Sequence, residues 1–384
     1  MRELTLAYLI ISVAGCGPIP SAFDAGAPKA VDGDAGDTAP DSGSPIDAGV
    51  IADAGPFDAG SVPDAGAPID AGIPFDRTPV HQPVGALCNL PAGWVPDGGR
   101  AATFIDCDVA AGRFSTADPA LAPATLKVVA WNVEFGKNST DVLATLTTRL
   151  ELKNADVLLL SEVARDSLTS NPQKLDQARV LAEALGMDYL FAVEWDRREL
   201  PAELGEHGVA ILSKWPLGNV SQTRHTPLND WWKEDKLYGG RLSLGADVLV
   251  RGKRLRVYAT HLCTRGGEAG RATQAAELRA DATAAGRSPL TVAGGDLNTY
   301  LCNPSIGTNC TVAPGAEQAV EDFLANGFAD GTAGFNGTTQ VGAGFFPQRL
   351  DWLFARGLTV TAGAADSQAK GSDHLPIYTR VTVP

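Results

Sequence analysis

Short apolar runs that stop on a polar side chain constrain most strongly how this chain can fold. The plainest is Thr291 to Thr299, TVAGGDLNT, where a β-branched, apolar run ends in two glycines followed by Asp296 and, two residues on, Asn298. A run of this kind bounded by Gly predicts a buried strand, and residues just past it point into the cleft at its end. Gly-Asp after a strand is also ordinary turn chemistry, so this stretch alone does not separate a site from a turn.

The pattern recurs from Leu126 onward. LKVVAWNV predicts a strand, Ser139 to Lys153 a helix with a Ser/Thr start, and ADVLLLSEV a second buried strand. Residues 172–185 predict a helix. DYLFAV, HGVAILS, RLSLGADVLV and RLRVYATHL predict strands, and Arg271 to Ala285 an Ala-rich helix. After TVAGGD come a Cys-containing loop, a helix near Glu317 to Ala325, and the closing strands LDWLFA and LPIYTRVTV. Adjacent strand pairs mixed with crossing helices predict α/β layers with mixed or antiparallel sheets, not a purely parallel doubly wound fold.

Charge is spread unevenly over the 384 residues, whose formal total is −14. Residues 1–77 hold 12 acidic against 3 basic side chains, and the remainder 33 against 28, a net of −5. The folded part is therefore only mildly acidic, which neither advertises a nucleic-acid footprint nor excludes a local basic groove. Residues 17–77 repeat Asp-Ala-Gly at Asp24, Asp34, Asp47, Asp53, Asp58, Asp64 and Asp70. Few large side chains are there to offset ordering entropy, so this stretch predicts a solvated, self-repelling tether. Irregular spacing and missing large apolar residues speak against a calcium-binding solenoid.

The N-terminus, MRELTLAYLIISVAGCG, carries Arg2, an apolar stretch and then small residues, which fits a signal peptide and is too short for a stable membrane span. Its end, Val13 to Cys16, resembles the lipobox of bacterial lipoproteins, which makes Cys16 a lipid anchor; the alternative is an ordinary secretory signal. Either predicts export, to the envelope surface or beyond. Disulfides persist outside the cytosol, and close spacing suggests Cys88 with Cys107 and Cys302 with Cys310. Cys263 is left over and reads as a small buried hydrophobe. No Cys/His spacing resembles a zinc site. The expected organisation is a signal and lipobox at 1–16, a disordered tether at 17–77, a Cys-containing extension at 78–124, and one catalytic domain at 125–384.

Polar residues recur where the apolar runs stop: Asn132, Glu162, His261, Asp296 with Asn298, Asp351, and Asp373 with His374. Each alone reads as turn chemistry. Together they supply only Asp, Glu, Asn and His, the composition of a site for a hard divalent cation.

WNVEF, LLLSEV, HGVAILSKWP, THL, GGDLN, RLDWLF and SDHLPI occur in the order and approximate spacing of the endonuclease/exonuclease/phosphatase superfamily, which the chain resembles from about Leu126 to Val383. The resemblance implies a four-layer α/β sandwich, two packed mixed or antiparallel sheets flanked by helices. It also implies a Mg²⁺-dependent phosphoester hydrolase working through a metal-site water, with Mn²⁺ or Ca²⁺ as the alternative cations. In that scheme Glu162 binds the metal with Asn132 beside it, and Asp373 joins the same cluster. Asp296 activates or orients the water, and Asn298 positions it or a phosphate oxygen. His374 contacts the phosphate while Asp351 holds its tautomer. His261 resembles a second histidine that protonates the leaving oxygen, with Glu206 as its acidic partner.

Around the site, Arg241 resembles a basic residue that faces the phosphate, the alternative being a surface arginine. Trp231 and Trp232 suit stacking on bases, dipping into a lipid interface or capping the core, and Arg265 suits the rim. The expected function is an exported, membrane-anchored phosphodiester hydrolase acting on DNA or RNA. The alternative is a sphingomyelinase-like or other phospholipid phosphodiesterase. A silent binding module of the same fold would show a lost site residue, and none is missing. No protein partner is implied, and a monomer is expected.

Overall fold

A computed structural model describes residues 109–165, 176–196, 205–226, 238–264, 266–299, 317–332, 334–341 and 348–384, together with the backbone of the short strand at Cys88–Asn89. The expectations for Cys16, the tether, both disulfides, Trp231, Trp232 and Arg265 lie outside the described residues.

Two sheets form the centre. The first has seven strands in the order β1 (Cys88–Asn89), β7 (Leu217–Arg224), β9 (Leu242–Val250), β10 (Lys253–His261), β11 (Thr291–Asp296), β13 (Asp351–Arg356) and β12 (Ala329–Asp330). The second has eight: β14 (Thr359–Ala365), β15 (Ile377–Thr382), β3 (Thr125–Asn132), β4 (Val157–Arg165), β6 (Glu206–Ser213), β5 (Asp188–Asp196) and β2 (Val109–Gly112), with β8 (Tyr238–Gly239) beside β5. Each holds a central parallel pair, β10 with β11 and β3 with β4, among antiparallel neighbours. The mixed sheets expected from the sequence are therefore present.

Apolar side chains from both inner faces fill the space between the sheets. Val128, Val157, Leu159 and Ile211 of one meet Leu244, Val257, Val292 and Leu353 of the other. Helices α1 (Ser139–Thr148) and α2 (Gln177–Leu185) cover the eight-stranded sheet, burying Val142, Leu146, Ala178 and Leu181 against Val129, Trp131 and Leu158. Helices α3 (Gly267–Thr283) and α4 (Gln318–Ala325) cover the other, where Leu278, Val320 and Phe323 pack on Tyr258, Ala293, Trp352 and Phe354. This gives helix, sheet, sheet, helix: four layers with apolar seams. Among the described residues no helix is long and apolar enough to cross a membrane.

Some elements differ from the sequence reading. Helix α1 stops at Thr148, where the Thr147 and Thr148 hydroxyls bond back to the Leu143 and Ala144 carbonyls and Arg149 turns extended. Strands β7 and β14 were not expected. Their sequences, LGNVSQTR and TVTAGAA, are short of large apolar side chains, and β14 is mostly exposed.

Strand direction sets the polarity of the sandwich. β3, β4, β10 and β11 all run toward one end, finishing near Asn132, Arg165, His261 and Asp296, and their antiparallel partners start or finish beside them. The polar strand termini of the sequence therefore share one end of the molecule.

Candidate active site

The seven-stranded sheet supplies a row in register. His261 lies opposite Asp296 across the β10–β11 pair, and Asp296 opposite Asp351 across β11–β13. Side chains at paired positions share a face, so the three project into the same space. Gly295 makes the row possible. Its φ is +144°, and a Cβ there would sit 2.0 Å from the Thr260 carbonyl oxygen, so no other residue fits between the strands. Asp296 is then locked from its own turn: the Asn298 N–H donates to Asp296 Oδ1 at 2.8 Å. Asn298 has φ +52° and donates its amide to the Leu262 carbonyl at 2.9 Å.

The eight-stranded sheet contributes through irregularities. The β4–β6 register shifts between Leu160 and Val163, and within that bulge Glu162 takes φ +54°. A bulge re-aims a side chain that regular alternation would send elsewhere. A second shift, in β5–β6 between Val193 and Trp195, brackets Glu194. Gly208 faces both bulges, pairing with Val163 on one side and Val193 on the other, and a Cβ there would lie 1.9 Å from the Ala192 carbonyl oxygen. Asn132, ending β3, donates its amide to Asp296 Oδ2 at 3.0 Å and so joins the two sheets.

Asp296 Oδ2 is the point of convergence. Besides Asn132 it lies 3.5 Å from His261 Nε2 and 3.8 Å from His374 Nε2. Asp351 Oδ2 pairs with His374 Nδ1 at 2.8 Å, while Thr339 Oγ1 accepts from the backbone N–H groups of Leu350 and Asp351. Burial alone would lower the His374 pKa, but Asp351 and Asp296 overcome it and raise it to about 10. His374 is therefore an imidazolium at neutral pH, with Nε2–H facing Asp296.

His261 is its opposite. Burial and the Arg241 guanidinium hold its pKa well below 6.5, so the ring is neutral. Arg241 Nη1 donates to Nδ1 at 2.5 Å, which leaves the proton on Nε2, 3.5 Å from Asp296 and 3.9 Å from Glu162 Oε1. Glu194 Oε2 lies 3.2 Å from the same Nδ1 and Oε1 lies 3.4 Å from Arg241, whose guanidinium stacks 4.2 Å above the Trp195 ring. Burial pushes the Glu194 carboxyl up to about 7 against the pull of Arg241.

Three expectations are thereby corrected. The carboxylate beside His261 is Glu194, not Glu206; Glu206 pairs in register with Arg165 and binds its Nε at 2.6 Å. Arg241 is neither a surface residue nor open to a phosphate, because it is 7% exposed and engaged with His261, Glu194 and Trp195. Asp373 stands beside Glu134, whose Oε2 accepts the Asp373 N–H at 3.2 Å, and it is outside the close Asp296, Asp351 and His374 group. Glu194 was missed, although a lone carboxylate inside the apolar run DYLFAVEWD was a usable signal. Cys263 is a buried thiol, as the sequence suggested.

Two sets of groups suit a divalent cation. The ligand atoms of Asp296, Asp351 and His374 lie within 4.8 Å of one another, and Asp351 Oδ1 is buried with no hydrogen-bond partner among the described residues. In that group the 2.8 Å Asp351–His374 bond already engages one ligand atom of each residue. Glu162 fits better: burial pushes its carboxyl up to about 7 despite His374 and Asn132, and only 16% of the side chain is exposed. A cation beside this carboxylate and the Asn132 amide would supply the missing positive charge, and oxygen donors suit Mg²⁺.

Two packed mixed sheets between helix layers, with carboxylates, amides and imidazoles gathered at one end, define an α/β-sandwich hydrolase. Residues 129–374 match the Endonuclease/Exonuclease/phosphatase family, and the chain belongs to that family. Among solved structures it is similar to an endonuclease/exonuclease/phosphatase from Beutenbergia cavernae, at 21% identity and TM-score 0.51 over 67% of this chain and 72% of that one. A second, from Bacteroides vulgatus, gives 15% identity and TM-score 0.50 over 68% and 99%. The human Nocturnin catalytic domain, solved with a bound sulfate anion, gives 16% identity and TM-score 0.47 over 73% and 98%. No curated protein matches the chain.

Proposed function

We propose that this hydrolase is a divalent-metal-dependent phosphodiesterase acting on nucleic acid, exported and held to a membrane through Cys16. The observation that carries the catalytic reading is the convergence on Asp296 Oδ2 of Asn132 at 3.0 Å, His261 at 3.5 Å and His374 at 3.8 Å, from both sheets. Export and anchoring rest on the signal-like N-terminus and its lipobox-like end.

A cation held by Glu162 and Asn132 would draw charge from a phosphoryl oxygen and lower the barrier to attack. Asp296 receives the proton of the attacking water as its oxygen bonds to phosphorus. Asn298 orients that water or an adjoining phosphoryl oxygen. His374 Nε2–H, charged and held by Asp351, donates to another phosphoryl oxygen and stabilises the negative charge that builds there. His261, being neutral, gives the leaving oxygen a hydrogen bond from Nε2 while the departing alkoxide takes its proton from solvent, which narrows the role the sequence suggested.

Nucleic acid is favoured over phospholipid because a histidine with an acidic partner, here His261 with Glu194, resembles the nuclease branch of the family. The test is to incubate the full chain with plasmid DNA, RNA, sphingomyelin and an inositol polyphosphate, each with Mg²⁺ and with chelator. Metal-dependent cleavage of DNA or RNA is expected. Activity that survives chelation removes the metal, and turnover of sphingomyelin alone overturns the substrate.

A further inference from the structure

The end of the sandwich opposite the site has a different chemistry. Strand β3 starts there at Thr125 and reaches the site at Asn132, so the two ends stand roughly 25 Å apart. Around a hollow of about 340 Å³ lined by Pro123, Thr125, Leu150, Asn154 and others, Lys127, Lys153 and Arg380 come together. Lys214 adjoins through hydrogen bonds to the Asn154 carbonyl and Asp156. The turn carrying Arg251 and Lys253 adjoins through the Arg251 N–H, which donates to the Pro119 carbonyl at 2.8 Å. Lys214 pairs with Asp156 at 3.0 Å and Arg380 with Glu151 at 3.6 Å, and Lys153, Arg251 and Lys253 add further cations to this end of a domain whose overall balance is −5.

Within this basic patch stand the two most exposed large apolar side chains of the described residues, Leu121 at 81% and Leu150 at 68%. A lone exposed leucine is ordinary. Leu150 on the rim of the cationic hollow and Leu121 two residues past the Pro119 carbonyl that Arg251 binds are another matter, because apolar side chains beside Lys and Arg match the headgroup region of an anionic bilayer, where the leucines enter the acyl boundary and the cations meet phosphates.

We propose that this end is a docking surface for an anionic phospholipid bilayer, with Lys153, Lys253 and Arg380 receiving headgroup phosphates and Leu121 and Leu150 inserting. The docked domain turns its active site away from the lipid, so substrate reaches it from the aqueous side. The proposal depends on neither the lipid anchor nor the hydrolytic reading, and vesicle binding is measured without activity.

The experiment uses the full chain carrying Cys16→Ser, which removes acylation, with vesicles of phosphatidylcholine alone or mixed with phosphatidylglycerol. Comparison with the same parent cancels any binding by the N-terminal apolar stretch. Binding is expected to rise on the anionic vesicles, to fall with added salt, and to drop by roughly fivefold per cation neutralised. Lys153→Gln and Lys253→Gln, both solvent-reached, test the cations, and Leu121→Ser with Leu150→Ser tests insertion. Nuclease activity on DNA in solution is expected to stay at the parent level in all four. Hydrogen exchange on the bound protein should slow at 119–127 and 149–154 and stay unchanged at 294–299. Equal binding to both vesicle types, binding unaffected by the lysine substitutions, or protection at 294–299 instead would each overturn the proposal.

Discussion

The seven-stranded sheet brings His261, Asp296 and Asp351 to the site as neighbours in unbroken register, whereas the eight-stranded sheet delivers Glu162 and Glu194 through two bulges that both face Gly208. The first arrangement is stiff, because Asp296 is paired across both neighbouring strands, with His261 on one side and Asp351 on the other. The second places a side chain where alternation forbids it, at the cost of a positive φ at Glu162. Proton transfer needs a fixed distance and falls to the regular sheet, while the bulged sheet holds the carboxylates that burial raises to about 7.

Removing the carboxylate at the centre of the regular row gives the largest expected effect. Asp296→Asn keeps the shape and the bond from the Asn298 N–H but cannot take a proton. Its kcat on a phosphodiester should fall by about 10³-fold with little change in melting temperature. Loss below tenfold in steady-state kinetics would remove Asp296 from the chemistry and leave the row a structural feature.

The same contrast explains what the sequence made legible. Asn132, His261, Asp296 and Asp351 end or begin apolar runs, and a run whose period is regular announces both its strand and its terminus. Their convergence followed from topology, which short motifs suggested and the β3–β4 and β10–β11 parallel pairs supply. Bulges leave no such trace. An inserted residue looks like any other in a strand buried on both faces, so Glu194 passed as part of DYLFAVEWD. Glu206, two residues from Gly208, drew the partnership with His261 that belongs to Glu194. Arg241 was misjudged for a related reason: the sequence places it at a strand start but cannot say that Trp195 and Glu194 fold over it.

Alanine at either of the two glycines separates the sheets by stability. At Gly295 a Cβ would lie 2.0 Å from the Thr260 carbonyl oxygen and φ is +144°, and at Gly208 it would lie 1.9 Å from the Ala192 carbonyl oxygen. Both contacts are with backbone, so strands must part, and each substitution should cost roughly 3 kcal/mol or more in urea unfolding. Gly208→Ala is expected to disturb the bulges and weaken Mg²⁺ binding in refolded protein, while Gly295→Ala leaves Glu162 in place. If Gly208→Ala unfolds with a wild-type midpoint, the bulges are not under the constraint the geometry implies.

A smaller, pH-dependent effect comes from Glu194. Its folded pKa, about 7, lies above the ordinary 4.5, so between those values the native state binds more protons than the unfolded chain. Stability from this group is therefore present below pH 4.5 and lost as pH rises through 7, by roughly 3 kcal/mol in all. Glu194→Gln removes the titration, so the melting temperature of the wild type should fall relative to the variant from pH 5 to pH 8. A constant difference across that range would mean that Glu194 titrates normally and that the carboxylate beside His261 is better solvated than its burial indicates.

The smallest expected effect tests how the regular row is held at its far side. Thr339 Oγ1 accepts from the N–H groups of Leu350 at 2.9 Å and Asp351 at 3.1 Å, and the Thr339 carbonyl accepts from Leu375 at 2.7 Å, so one residue ties both members of the Asp351–His374 pair to a single loop. Thr339→Val keeps the volume and removes only the acceptor, leaving two buried donors unmet at a cost of about 1–2 kcal/mol. Thr339→Ser restores the oxygen. If Thr339 merely stabilises the loop, kcat in Thr339→Val should match wild type once the protein is folded. If it positions Asp351, kcat should drop about tenfold with KM unchanged and return in Thr339→Ser, because a slack carboxylate lets the His374 ring turn its Nε2–H away from the phosphate.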